Sequence, residues 1–114
     1  MAFTEIELKL IENTVGRMCE RRSPPHQRDQ IRTIYKVVNH SVKVYEQRPR
    51  WRHPEEWTNM GIAKFVYLRT TKKWRLYWMR QDSKWHSYEP LSESTAIETL
   101  VSEVDEDPYG TFFG

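Results

Sequence analysis

IRTIYKVVNHSVKVY, residues 31–45, consists of two alternating runs of apolar and polar residues joined by Asn39-His40. Such alternation is typical of strands with one buried face, and a dipeptide of this kind between two runs is typical of a two-residue hairpin turn. With this turn, Tyr35 lies opposite Val44 on an apolar face. The stretch therefore predicts a β-hairpin, and its register places three basic residues together on the other face: Arg32, Lys36 and Lys43.

Three more alternating runs follow at residues 61–69, 73–80 and 85–89. The segments between them, 70–72 and 81–84, are short enough for hairpin turns. Together with the first hairpin, these runs predict five strands in an antiparallel meander.

Pairing Arg69 with Trp74 and Arg80 with Trp85 sorts the side chains of these strands into two faces. One face is then apolar and aromatic: Ala63, Phe65, Tyr67, Trp74, Leu76, Trp78 and Trp85. The opposite face is mixed: Lys64, Arg75, Tyr77, His86 and Tyr88, with Val66, Leu68 and Met79.

An amphipathic helix is predicted on each side of the strands. At the N-terminus, Thr4 and Glu7 form a capping box, and Phe3 and Leu8 occupy the positions of a hydrophobic staple. The first helix is expected to run for about five turns before Ser23-Pro24-Pro25 ends it. Its apolar stripe is Leu8, Ile11, Val15, Met18 and Cys19. The second helix begins after Ser92 or Ser94, ends before Pro108, and carries the stripe Ala96, Ile97, Leu100, Val101 and Val104.

The element order indicates an α+β fold in which both helices pack on one face of the sheet. The 114 residues are 38% hydrophobic and 13% aromatic, which fits a single domain over residues 1–114. No stretch is apolar enough for a membrane span and no signal peptide is evident, so a cytoplasmic protein is expected. Cys19 cannot form an internal disulfide and is interpreted as a small buried hydrophobe. The Phe112-Phe113 pair near the end is expected to dock on the domain or on a second copy.

The net charge of +2 hides a segregation of charge along the chain. Residues 17–86 contain 17 of the 18 Lys and Arg residues but only six of the 16 acidic residues, a net charge of +11. The remainder carries −9. We therefore expect a basic sheet and acidic helices, either as solvated surfaces or because the basic part binds a polyanion.

Four aromatic-rich strings resemble a family of small bacterial proteins that is catalogued as a domain of unknown function. They are RPRW at 48–51, WRLYWMR at 74–80, KWHSYEP at 84–90 and DPYGTFFG at 107–114. The resemblance covers nearly the whole chain and implies a bacterial single-domain protein. It brings no activity, cofactor or site residue.

Basic residues interleaved with aromatic residues can bind a phosphate backbone and offer surfaces for bases. This pattern indicates a non-enzymatic binding module with a basic, aromatic surface, and its partner would be a nucleic acid or an acidic protein surface. The candidate residues are Arg48, Arg50, Trp51, Arg52, Arg75, Tyr77, Lys84 and His86, with Lys36, Lys43 and Lys64 as additions. No helix-turn-helix, zinc-finger or RRM signature is present. A protein-interaction or homodimer module is the alternative, because exposed aromatic and Arg residues are also common at protein interfaces.

A small enzyme such as a nuclease is a further alternative, in which a partly buried Glu46 beside Arg48 would act. The other carboxylates are scattered, and no catalytic motif, cofactor-binding loop or metal-ligand spacing appears. The preferred interpretation of Glu46 and Arg48 is a structural ion pair, so no catalytic residue, cofactor or metal is predicted.

Overall fold

Five strands follow one another as an antiparallel meander in a computed structural model that describes residues 3–27 and 29–114. They are β1 (Arg32–Val38), β2 (Ser41–Pro49), β3 (Trp57–Leu68), β4 (Lys73–Met79) and β5 (Trp85–Ser87). A short strand, β6 (Glu93–Ser94), pairs with β4 on the same edge as β5. The predicted meander and the α+β class are confirmed, and β6 extends the sheet.

The first hairpin has the predicted register. Tyr35 lies opposite Val44 and Val37 lies opposite Val42. Asn39 has a φ of 54°, in the left-handed region that asparagine tolerates in tight turns. The register therefore places Arg32, Lys36 and Lys43 on the same face of the hairpin, as predicted.

The second hairpin joins β2 to β3, and both strands are longer than predicted. β2 extends through Pro49 and β3 begins at Trp57, so residues 50–56 alone connect them. The backbone of Arg50 donates to the carbonyl of Glu56 at 2.8 Å and closes this loop. The two strands therefore extend into residues 46–60, where no strand was predicted.

The hairpin between β4 and β5 corrects the predicted register. Met79, rather than Arg80, pairs with Trp85, because the loop has three residues with Ser83 at a φ of 62°. A slip of one residue exchanges the two faces of a strand. Trp85 therefore points away from the helices, while His86 and the buried Tyr88 lie on the helix side, the reverse of the prediction.

The register of the hairpin between β3 and β4 also differs from the predicted register, by two residues, since Tyr67 rather than Arg69 pairs with Trp74. An even displacement keeps each side chain on its face. The predicted faces of β3 and β4 are therefore correct although the pairing is not.

The N-terminal helical segment consists of α1 (Glu5–Ile11), a π-helical turn (Glu12–Gly16) and α2 (Arg17–Arg21). The predicted capping box is present at Thr4. A Cβ at Gly16 would lie 3.3 Å from the Tyr35 ring, so this glycine allows the segment to approach β1 closely.

Most of the predicted stripe on this segment is buried, whereas Leu8 is 42% exposed. Phe3 packs against Trp74, with ring centroids 5.6 Å apart. Burial raises the pKa of the Cys19 thiol to about 12, as expected for a small buried side chain rather than a reactive one.

The C-terminal helix, α3 (Ile97–Glu106), buries Ile97, Leu100, Val101 and Val104. Ser94 accepts a hydrogen bond from the backbone of Ala96 just before the helix. The helical segments and α3 cover one face of the sheet, where Val42, Phe65 and Leu76 are completely buried. No helix in the described ranges is long and apolar enough to cross a membrane.

The aromatic tail docks on its own domain. The Asp107 carboxylate accepts hydrogen bonds from the backbone N–H groups of Phe112 and Phe113 at 3.0 and 2.8 Å. The Phe112 ring lies 4.9 Å from that of Tyr88, and the Arg22 guanidinium lies 3.5 Å from the centroid of Phe113. These contacts occupy the Phe pair within the chain.

Candidate functional site

The candidate site lies on the face of the sheet opposite the helices, which we call the open face. Strand register identifies its side chains, because residues directly opposite one another point to the same side. They include Ile34, Lys36, Lys43, Tyr45, Gly61, Lys64, Val66, Arg75, Tyr77, Met79 and Trp85.

A row of lysines crosses the open face from strand to strand. Lys36 on β1 lies directly opposite Lys43 on β2, which lies directly opposite Lys64 on β3. On β4, Tyr77 lies opposite Lys64. Because neighbouring strands are about 4.8 Å apart, the backbone positions of these lysines span only about 10 Å. We call Lys36, Lys43 and Lys64 the lysine row.

The lysine row is electrostatically unfavourable in the isolated protein, since like charges directly opposite one another destabilise a sheet. Partial burial, and then the neighbouring charge of Lys43, lower the pKa of Lys64. Within residues 3–27 and 29–114, no ion pair neutralises any of the three. A bound anion would relieve this repulsion.

Aromatic rings accompany the lysines. The ammonium of Lys36 lies 5.6 Å from the ring centroid of Tyr45, and that of Lys64 lies 5.8 Å from the centroid of Tyr77. Both rings are half-buried. Cation–π attraction at such distances holds the ammonium groups near the rings while leaving their N–H donors available.

Two of the predicted binding arginines are paired with carboxylates at the end of the β2–β3 hairpin. Arg48 lies 3.1 Å from Glu46, and Arg50 lies 2.6 Å from Glu56. Their charges are largely compensated within the chain, in contrast to those of the lysine row.

Trp51 and Arg52 lie at the tip of the same hairpin. Trp51 is 86% exposed, and the Arg52 guanidinium lies 4.8 Å from its ring centroid. Trp74, by contrast, is buried in the core. The tip therefore presents one exposed aromatic ring and one cation to solvent.

Arg75 and Tyr77 lie on the open face as predicted. Arg75 is 3.9 Å from Glu93 of β6, which compensates part of its charge. Tyr77 belongs to the same cross-strand line as the lysine row. The structure thus brings these two predicted residues together with the lysines.

Lys84 and His86 are separated from that group. The imidazole of His86 lies 2.9 Å from the Asp82 carboxylate. This hydrogen bond, followed by one from the backbone of Lys84, lowers the pKa of Asp82. His86 lines a cleft of about 400 Å³ that also contains Trp78 on the helix side. The expectation that His86 shares a face with Tyr77 was wrong, because the β4–β5 loop is one residue shorter than predicted.

Glu46, the carboxylate considered for catalysis, accepts hydrogen bonds from Nε and Nη2 of Arg48 at 3.2 and 3.1 Å. Its geometry is that of an ion pair near a strand end. In the part of the chain that the structure describes, no group of three or more His, Cys, Asp or Glu side chains could hold a metal ion.

Sequence reasoning underestimated the lysine row. Lys36 and Lys43 share a face because of the first hairpin, and that much follows from the turn. Lys64 joins them through the β2–β3 register, which shifts at a bulge between Val44 and Tyr45. Charge alternation in each strand was the available signal, whereas the pairing that aligns the lysines depends on the bulge.

A family model described as a domain of unknown function, DUF3024, matches residues 3–114. No curated protein and no solved structure gives a significant match to the chain.

Proposed function

The chain belongs to the DUF3024 family, and from its geometry we propose that it is a non-enzymatic binding module whose open face binds the phosphate backbone of a nucleic acid. The observation that carries this proposal is the lysine row. Lys36, Lys43 and Lys64 are aligned on adjacent strands with no carboxylate paired to them among the described residues.

A phosphate backbone suits this row better than an isolated anion does. The ammonium groups are carried on flexible stems and line up across the sheet, so they can follow a linear series of charges. Each phosphate that is bound releases condensed counterions, which adds to the affinity and makes it depend on salt. The repulsion between Lys43 and Lys64 is relieved at the same time.

The open face favours a polymer over a small substrate. It is formed by side chains of adjacent strands rather than by a deep cleft, and its lysines lie beside the rings of Tyr45 and Tyr77, which can contact sugars or bases. The Trp51 and Arg52 tip lies at one end of the β2–β3 hairpin and offers a second contact to a long ligand. Catalysis is not part of the proposal, because Glu46 is engaged with Arg48.

The test compares two charge-matched double variants by fluorescence anisotropy with labelled single-stranded and duplex oligonucleotides. Lys43→Gln/Lys64→Gln removes two members of the row. Lys9→Gln/Lys72→Gln removes the same charge from α1 and from the β3–β4 turn. At about 50 mM salt, we expect the row variant to bind about tenfold more weakly than wild type and the control to bind within about twofold.

The salt dependence provides the second readout. For a single strand, the slope of log K against log salt is about −0.7 for each phosphate contact, so the row variant should have a slope smaller by about 1.4. Absence of binding by wild type at low salt, or equal weakening by the control variant, would overturn the proposal. Salt-insensitive doubling of the mass in light scattering would instead support a homodimer, and salt-dependent binding to acidic proteins but not to oligonucleotides would support an acidic protein partner.

A further inference from the structure

Gly61 is the point on the open face where a side chain would collide with its neighbours. A Cβ at this position would lie 2.8 Å from Sδ and Cε of Met79 and 3.2 Å from Cη2 of Trp85. Real Cβ atoms do not approach other atoms as closely as the first of these distances. The space above Gly61 is therefore filled by two side chains that come from other strands.

The contact with Gly61 fixes how the Trp85 indole is placed. Trp85 is on β5 and Gly61 is on β3, so β4 lies between them. For Cη2, the far corner of the ring, to reach Gly61, the indole must extend across the sheet over β4. Trp85 is nevertheless only half-buried. The indole thus lies along the sheet, and Trp85 remains partly accessible to solvent.

Tyr45 lies directly opposite Gly61 on β2. Tyr45, Met79 and Trp85 consequently form an aromatic and sulfur-containing strip around Gly61, which we call the platform. Tyr45 follows Lys43 by two residues, and Met79 follows Tyr77 by two. The platform therefore runs beside the lysine row at a distance of about 7 Å along the strands.

From this juxtaposition we infer that the ligand is a single-stranded nucleic acid, whose phosphates lie on the lysine row and whose bases stack on Trp85 and Tyr45. This inference rests on the proposed function and adds to it the requirement for unpaired bases. Aromatic stacking of one base is sequence-tolerant and contributes about tenfold or more to affinity. The bases of a duplex are stacked on each other and do not offer their faces. Gly61 is a positioning residue, because it leaves room for the indole.

Three labelled probes test this inference. A twelve-residue oligothymidylate and an abasic deoxyribose-phosphate oligomer of the same length carry the same phosphates with and without bases. A duplex carries bases that are already paired and stacked. At one fixed salt concentration, we expect wild type to bind the oligothymidylate at least about tenfold more tightly than the abasic oligomer. Trp85→Leu should remove most of this preference by weakening binding to the oligothymidylate, whereas Trp85→Phe should retain more of it.

Gly61→Ala tests the positioning role without removing any ring. It should reduce the preference for bases, and Gly61→Ala/Met79→Ala, which provides room for the new methyl group, should recover part of it. Thermal unfolding of each variant checks that the fold is retained, and the Trp85 variants carry the test if Gly61→Ala unfolds. Equal binding of the three probes, with no effect of Trp85→Leu, would overturn the inference and leave the lysine row as a general polyanion site. If none of the probes binds at low salt, the proposed function fails as well.

Discussion

Repulsion within the lysine row lowers the stability of the folded protein. A role of these lysines in ligand binding would explain their presence. Lys64 is partly buried and lies between Lys43 and Tyr77 in the cross-strand line. Replacing a cation at this position by a neutral polar side chain of similar size removes the repulsion and keeps most of the packing of the stem. Lys64 is therefore expected to contribute to ligand binding and to lower the stability of the fold.

We predict that Lys64→Gln raises the free energy of unfolding by about 0.5 kcal/mol at pH 7, because it removes one directly opposed pair of like charges. Urea unfolding followed by circular dichroism measures the difference. Lys72→Gln, in the exposed β3–β4 turn, is the matched control and should change stability less. A clear loss of stability in Lys64→Gln would mean that the ammonium contributes to the fold.

The stability gain from Lys64→Gln should depend on pH in one direction. The pKa of Lys64 is lowered in the folded protein by burial and then by Lys43, relative to its ordinary value of 10.5. Between the two pKa values the unfolded chain binds more protons, so the wild-type protein gains stability as the pH rises through this window. The advantage of the glutamine variant should therefore shrink as the pH approaches 10.5.

For single residues, the sequence predicts the face of the sheet correctly at some positions and wrongly at others. Lys36 and Lys43 were correctly placed because a two-residue turn at Asn39-His40 determines every pair in the first hairpin. Trp85 and His86 were predicted on the wrong faces of the sheet. The sequence between β4 and β5 is equally compatible with a loop of three residues and with a loop of four. The three-residue loop requires Ser83 to adopt a left-handed backbone conformation. Serine rarely adopts this conformation, so the residue type does not predict it.

At the scale of elements, the N-terminus of α1 is held by one side chain with two functions. Glu7 accepts a hydrogen bond from the backbone of Thr4 at 2.8 Å and closes the capping box. The same carboxylate binds Arg69, at the end of β3, through two nitrogens at 2.7 and 3.0 Å. The capping box was predictable from spacing, whereas the link to Arg69 joins residues far apart in the chain.

We predict that Glu7→Ala lowers the free energy of unfolding by about 1 to 2 kcal/mol, the usual range for loss of a helix cap together with a bidentate ion pair. Glu7→Gln can still close a capping box, so it should cost less and isolate the contribution of the charge. Glu5→Ala, in the same helical turn, is the control and should cost no more than about 0.5 kcal/mol. Chemical unfolding of the three variants provides the comparison.

The contribution of Glu7 should disappear in acid. The hydrogen bond from Arg69, and then that from the backbone of Thr4, lower the pKa of Glu7 below its ordinary value of 4.5. Its stabilisation is therefore present above pH 4.5 and is lost as the pH falls through the folded pKa. The difference between wild type and Glu7→Gln should narrow across that interval; a constant difference would assign the effect to packing.

The sheet illustrates which elements the sequence determines. Alternation predicted the existence and order of the strands, because each buries one face. It placed the start of β3 too late, since Trp57 to Met60 show no simple apolar pattern. These residues pair with the end of β2, and side chains such as Met60, 62% exposed, are not buried in the core.

At the scale of the whole molecule, the net charge of +2 is the sum of +11 over residues 17–86 and −9 over the remainder. The acidic residues of α3 lie on the side of the sheet opposite the lysine row. The smallest dimension of the molecule is 24 Å. Charges on opposite sides of a molecule of this size are largely screened from each other when the Debye length is about 8 Å, at 0.15 M salt, and interact when it is about 30 Å, at 0.01 M.

We therefore predict that Glu98→Gln/Glu106→Gln, at exposed positions of α3, tightens oligonucleotide binding by about two- to threefold at 0.01 M salt and leaves it unchanged at 0.15 M. Removing acids from the far side weakens only a long-range repulsion of the ligand. Anisotropy titrations at the two salt concentrations measure the effect, with Lys43→Gln/Lys64→Gln as the comparison that should weaken binding at both. If the α3 variant still binds more tightly at 0.15 M, its acids lie within a Debye length of the ligand, and the binding surface is on the helix side instead of the open face.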